Sequence, residues 1–264
     1  MRPIPLTTGH IPDAFALSSI ADWNQPREDW RMLLGMPGAC FGIEIEGKLV
    51  ATATLICYGR ALGLVGMVLT HPDYRRRGFA RALVSHVMEH ARTAGVNTLK
   101  LDATNEGLPL YESLGFRAEQ QVERWKRASF DHTPADTAGP AAFPWKLDAC
   151  GYDRRHLLER LSGIGEGTAN AEAFALSRPG RLNRYLGPCV ALNQTAARDV
   201  IEATLTRHPE DGWFWDLLAA NRDAVALAQD LGFECVRRLT RMTWGPDIPS
   251  QDNRIYAIAG LELG

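Results

Sequence analysis

The chain has 264 residues, enough for one large domain or two of ordinary size, and 45% of them are hydrophobic, the share of a globular protein. A formal net charge of −2 excludes the global basic field that nucleic acid or an anionic membrane would attract, and no apolar run approaches the ~20 residues that span a bilayer. Five scattered cysteines, Cys40, Cys57, Cys150, Cys189 and Cys235, are odd in number and form no Cys-x-x-Cys pair. They argue against a disulfide framework or a zinc site and for a reducing compartment. The first residues carry no basic patch followed by an apolar run, so a soluble cytoplasmic protein is expected, with no nucleic-acid or membrane partner.

In chain order, residues 4–6 read as a first strand. Ile11, Phe15 and Ile20 recur at roughly helical spacing and predict a helix over 10–23, with Pro12 in its first turn; Pro26 opens a second helix to residue 34. Residues 41–45 alternate, Gly47-Lys48 makes a turn, and 49–57 completes a hairpin. An apolar run at 62–69 reads as a buried strand. A helix with Leu83, Val84, Val87 and Ala91 on one face follows, then a turn at Gly95, a strand over 99–103, a short helix and a strand over 116–125. Residues 128–142, rich in Ala, Pro, Thr, Asp and Gly without a hydrophobic period, read as a linker. Beyond it the pattern predicts a strand at 143–147, a helix over 153–161 capped by Asp153, and a Gly-rich loop over 162–170. Strands at 173–176 and 186–192 come next, then a helix over 195–207 capped by Asn193 or Thr195. A strand at 213–216, a helix over 221–231, a strand over 233–244 and a last strand with a tail over 255–263 complete the chain.

Between the buried strand and the helix at Leu83 lies Thr70-His-Pro-Asp-Tyr-Arg-Arg-Arg-Gly-Phe-Ala-Arg81. A strand, a tight basic loop and a helix start make an anion site: first-turn N–H groups lack intrahelical partners and sit at the positive end of the helix dipole. Gly78 and Ala80 remove side-chain bulk there, and Arg75, Arg76, Arg77 and Arg81 add charge. Arg75-x-x-Gly78-x-Ala80 resembles the pyrophosphate loop of the GNAT superfamily of N-acetyltransferases. Asn105 with Leu110-Tyr-Glu-Ser-Leu-Gly-Phe116 resembles that family's later Asn…Leu-Tyr-x-x-x-Gly-Phe segment, at a matching spacing.

The resemblance implies a mixed α/β (α+β) fold, with a central, mostly antiparallel sheet flanked by helices. It also implies acetyl-CoA as co-substrate, with no metal. On it, Val68 and Thr70 bond the pantetheine arm through their backbone. Arg75 opens the motif, and Arg76, Arg77, Gly78, Phe79, Ala80 and Arg81 wrap the pyrophosphate. Asn105 bonds the pantetheine or orders the strand end, and Tyr111 protonates the departing thiolate. Read without the resemblance, Arg75 is a surface arginine beside Asp73, Tyr111 a packing aromatic and Asn105 a helix cap. The general base is open among Glu44, Glu46, His71 and Asp102.

The second half repeats the first. When Leu231-Gly-Phe233 is laid on Leu114-Gly-Phe116, Val200 falls on Leu83, Ile201 on Val84 and Ala228 on Tyr111. No room remains for a loop between the strand ending near Leu192 and the next helix, and no Arg-x-x-Gly-x-Ala stands there. This half resembles a degenerate GNAT-like domain of a tandem protein, one that packs on the first and could shape its acceptor pocket. The expected division is 1–128 catalytic, 129–142 linker and 143–264 GNAT-like.

Two patterns compete for chemistry. His86-Val-Met-Glu-His90 fits a reversed zinc-peptidase motif, with solvent exposure the plainer reading. Trp213 and Trp215 share a strand face, and with Trp244 they are either core or an aromatic pocket wall. The resulting expectation is an N-acetyltransferase, monomer or homodimer, acting on a small-molecule amine. A protein lysine or N-terminus is the alternative acceptor, and a non-catalytic acyl-CoA sensor the rival class.

Overall fold

A computed structural model describes residues 2–129, 144, 146 and 148–264. Its contacts divide the chain into two compact units, Met1–Ala118 with Met242–Asp247 and Leu263, and Glu119–Arg241 with Ile248–Glu262 and Gly264. Of the expected linker at 129–142, only Ser129 is among the described residues.

The first unit begins with β1 (Ile4–Pro5), α1 (Ile11–Ile20) and α2 (Arg27–Gly35). The antiparallel strands β2 (Gly38–Ile45), β3 (Lys48–Tyr58) and β4 (Leu62–Thr70) follow, then α3 (Phe79–Thr93), β5 (Thr98–Ala103) and α4 (Leu108–Ser113). The strand order is β1-β2-β3-β4-β5, then Met242–Trp244, the end of a later strand. One sheet face is apolar: Ala51, Ala53 and Leu55 of β3, Val65 of β4, and Leu99, Leu101 and Ala103 of β5 close a core with Leu83, Val84, Val87 and Ala91 of α3. Each such buried Val or Leu side chain contributes about 1.5–3 kcal/mol, so this stripe, legible as a helical period, holds α3 on the sheet. α1 packs on β3 and β4, and its buried Ile11, Ala14 and Leu17 lie outside that core, on the opposite face.

The second unit takes β6 (Arg117–Arg127) from Glu119 onward, then α5 (Arg155–Ile164), β7 (Glu166–Ala169), β8 (Ala173–Arg178), β9 (Arg184–Ala191) and α6 (Gln194–Leu205). After these come β10 (Trp213–Leu218), α7 (Arg222–Asp230), the Glu234–Arg241 part of β11 (Glu234–Trp244), and β12 (Ile255–Ala257). The order is β11-β6-β10-β9-β8-β7. β10 runs parallel to β9 and antiparallel to β6.

Two expectations shift, and a third falls largely outside the described residues. The loop expected over 162–170 is the end of α5 and the strand β7, which pairs antiparallel with β8. Gly165 is there because a Cβ would run into the Ser177 carbonyl, a close approach rather than a loop. Of the strand expected at 143–147, residues 143, 145 and 147 lie outside the described residues. The last strand ends at Ala257, before left-handed Gly260 (φ 148°).

Candidate functional site

β4 supplies the first part of the site. It pairs with β3 from Leu62 to Thr70, with an irregularity between Thr52 and Thr54 where Met67 takes a left-handed φ of 47°. The Thr52 hydroxyl donates to the Met67 carbonyl at 2.8 Å and holds this bulge. On its other side β4 pairs with parallel β5 only through Leu62↔Thr98, Gly63↔Leu99 and Leu64↔Lys100. Beyond Leu64 the two strands splay. The β4 edge carrying Val68 and Thr70 faces the opening with no β5 partner.

The loop after β4 is the second part. A proline-led turn, Pro72–Tyr74, leads to Arg76 at φ 60° and Gly78 at φ 82°, and Gly78 is the N-cap of α3. Left-handed residues in such a turn direct successive N–H groups into a concavity that suits an anion. Being glycine, the N-cap offers no side-chain acceptor to the first turn of α3, and a Cβ at Gly78 would meet nothing within 4 Å. The N–H groups of Phe79, Ala80 and Arg81 are thus presented to open space at the positive helix end. The arginines divide the remaining work. Arg75 Nε donates to the Thr70 carbonyl at 3.4 Å, and Arg77 donates to the Asp73 carbonyl at 3.1 Å while its guanidinium lies over the Tyr74 ring. Arg81 donates to the Ser113 hydroxyl at 2.8 Å, tying the first turn of α3 to α4.

α4 carries Tyr111 inward. Its ring is 8% exposed, sits 6.0 Å edge-on from Phe116, and passes so close to Gly107 that a side chain there would collide with it. Burial pushes the phenol up to about 12, so it remains a proton donor at neutral pH. Asn105 is exposed in the turn before α4, but it is not the cap: the Thr104 hydroxyl and carbonyl accept from Gly107 N–H.

The four candidate bases separate by place. Glu44, on β2, faces His10 Nε2 at 3.4 Å, and Glu46 is exposed in the β2–β3 turn at φ 51°. His71 Nδ1 accepts from Asp73 N–H at 3.3 Å, and its ring lies edge-on to Tyr74. Asp102, half-buried on β5, lies just past the last β4–β5 pair, where the strands part.

Neither competing pattern joins this group. His86 and His90 set their rings 4.5 and 5.4 Å from Phe41. Trp213 and Trp215 are fully buried in the core under α6 and α7, which removes the pocket-wall reading for them. Trp244 lines a groove of about 310 Å³ with Ser85, Met88, Glu89, Arg92 and Leu114, away from the loop.

The second unit has the same frame without the same site. Phe116 N–H donates to the Tyr111 carbonyl at 3.0 Å, and Phe233 N–H donates to the Ala228 carbonyl at 2.9 Å. Left-handed Gly115 and Gly232 close the two helices alike. At the start of α6, however, the Asn193 side chain accepts from Ala196 N–H at 2.9 Å and fills the helix N-terminus. β9 and β10 pair in parallel only over Arg184–Leu186 and Trp213–Trp215, then part as β4 and β5 do. Here β12 enters. Val190 and Cys189 of β9 pair with β8 on one side and with Ile255 and Ala257 of β12 on the other. Trp215 Nε1 donates to the Tyr256 carbonyl at 2.7 Å and Ile258 N–H to the Asp216 carbonyl at 2.9 Å, so β10 holds the same segment. Pairing periodicity alone does not reveal where this short strand goes.

Comparison with known proteins gives a consistent result. Profiles described as acetyltransferase (GNAT) domain match residues 37–118 and 145–257. An uncharacterized N-acetyltransferase of Bacillus subtilis, YitH, is 25% identical across 99% of this chain and 98% of its own. A glucosamine 6-phosphate N-acetyltransferase of Trypanosoma brucei brucei is 33% identical over 44% of this chain and 82% of its own. A crystal structure from Pyrococcus horikoshii, 21% identical, superposes with a TM-score of 0.85 over 99% of this chain and 95% of that one.

Proposed function

Because the chain belongs to the GNAT superfamily, as an N-acetyltransferase with two such domains, we propose that its first domain, residues 1–128, moves an acetyl group from acetyl-CoA to a primary amine of a small molecule by direct attack. The observation that carries the placement is the uncapped, glycine-led start of α3 beside an unpaired β4 edge. Both are sets of backbone donors and acceptors without a structural partner, and they suit a pyrophosphate and an amide-bearing arm in turn. Acetyl-CoA supplies an acetyl group activated as a thioester.

The chain's own residues do the rest. Val68 and Thr70 bond the arm through their backbone, in the manner of a third strand. Gly78, Phe79, Ala80 and Arg81 present N–H groups to the diphosphate, and Arg75, Arg76 and Arg77 hold the loop and neutralise charge. Asn105 borders the arm at the strand end. Asp102, at the mouth of the splay, accepts the proton that the acceptor's ammonium must lose. Tyr111 Oη then gives its proton to the thiolate sulfur.

The purified chain incubated with acetyl-CoA and a panel of primary amines tests this through free-thiol release. Release with at least one small amine is expected. Silence across the panel, with CoA binding confirmed by thermal shift, would overturn the small-amine reading.

A further inference from the structure

The two faces of the first unit's sheet differ in chemistry. Toward α3, Ala51, Ala53 and Leu55 of β3, Val65 of β4 and Leu99, Leu101 and Ala103 of β5 make an apolar core. By strand alternation the other face is mixed: it carries Thr52, Thr54, Ile56 and Tyr58 on β3, Leu62, Leu64 and Gly66 on β4, and Thr98, Lys100 and Asp102 on β5. This face is buried too: Thr52 and Thr54 are 0% exposed and Lys100 only 9%. Polar groups are placed in a buried face only where partners meet them. Thr52 has one in the Met67 carbonyl. The Thr54 hydroxyl has none, although it is wholly buried.

The registers put these groups in one place. Thr54 lies opposite Gly66, and Lys100 lies opposite Leu64 in the last β4–β5 pair. Two residues further along each strand come Gly66 and Asp102, at the vertex of the splay. Thr54, Gly66 and Asp102 therefore form one row across the sheet, with Gly66 leaving the middle clear of side chain. Lys100 stands one pleat earlier on the same face, about 6.6 Å away along the strand.

Resting on the reading that this splay is where acetyl transfer occurs, we infer that Thr54, Lys100 and Asp102 form the acceptor-recognition surface and select an amine that also bears an acidic group. The ammonium goes to Asp102, with the Thr54 hydroxyl as its second partner, and the carboxylate or phosphate goes to Lys100. The balance of charge carries the class. A diamine or polyamine would be met by carboxylates at both ends, whereas this face offers one anion and one cation on neighbouring pleats of β5, about 6.6 Å apart along the strand. Lys100 and Asp102 each already have an interaction within the protein, which a bound zwitterion would have to replace.

The test compares kcat/KM for acceptors matched except in the acid group: an amino acid against its amide, an amino-sugar phosphate against the amino sugar, and a diamine. The intact chain should favour the acid-bearing member of a pair at least tenfold. Lys100→Met should bring that ratio close to one, mainly through KM, and Lys100→Arg should restore most of it. CoA affinity, measured for each variant, reports that the fold is kept. A preference for the neutral amine or the diamine, or a ratio that Lys100→Met leaves intact, overturns the inference and leaves N-acetylation of small amines standing. Thiol release with none of the acceptors, CoA binding being intact, overturns both.

Discussion

Tyr111 can be read in two ways that do not exclude each other, as a packing aromatic and as the proposed proton donor. It is a core aromatic, and its helix α4 is tied to the first turn of α3 by the Arg81–Ser113 hydrogen bond. Its folded pKa, about 12, stands above the reference of 10.0. A raised value means that its contribution to stability is complete below pH 10 and is lost as pH rises toward 12. The same shift keeps the donor protonated, so kcat should not fall at pH 10 through loss of this proton, as it would with an unperturbed phenol. Tyr111→Phe should lower kcat about 100-fold or more and leave CoA affinity within a factor of two, read by thiol release and calorimetry. Gly78 offers a second residue-scale prediction. Its φ of 82° strains any side chain although the space is open, so Gly78→Ala should cost about 1–2 kcal/mol and weaken CoA binding as the N–H concavity opens.

At the scale of elements, α3 and its turns were legible because a 3.6-residue stripe and a glycine boundary are local signals. Asn193 as the cap of α6 follows the same logic, whereas Asn221, read as the first residue of its helix, is the cap of α7. β7 was not legible: Glu166–Ala169 is short, small and glycine-flanked, and only pairing with β8 makes it a strand. The separate placement of the four candidate bases was equally hidden, because register, not composition, puts Asp102 just past the last β4–β5 pair. Strand pairing also hides a buried ion pair. Arg124 on β6 and Asp216 on β10 stand in register and share two hydrogen bonds of 2.7 Å. Burial works against the Arg124 charge, and the Asp216 carboxylate outweighs it, leaving the guanidinium more firmly protonated than usual. Asp216→Ala strands a buried cation and should cost about 3–5 kcal/mol, visible in denaturant unfolding. Replacing both partners with apolar residues should recover much of it.

For the whole molecule, the repeated arrangement was visible as Leu-Gly-Phe recurring at the end of a helix, and the lost phosphate loop as a missing stretch of chain. What no sequence pattern disclosed is that the second unit's splay is closed by β12. The chain should therefore bind one acetyl-CoA, not two. Calorimetric titration should give a stoichiometry near one, and a value near two would contradict the assignment of Asn193 and β12 as occupants of the second site.

β12 can be regarded as a tethered competitor. In the first unit the edge of β4 beyond Leu64 has no β5 partner, and the proposed pantetheine arm would complete it as an added strand. In the second, the protein supplies such a strand from its own chain, at the ~millimolar effective concentration that a short tether gives. A diffusing ligand would have to displace Ile255–Ala257 together with the indole hydrogen bond from Trp215. Duplication can thus leave a fold intact while removing its chemistry, once a later segment of the chain satisfies the backbone groups that made the opening reactive to ligands.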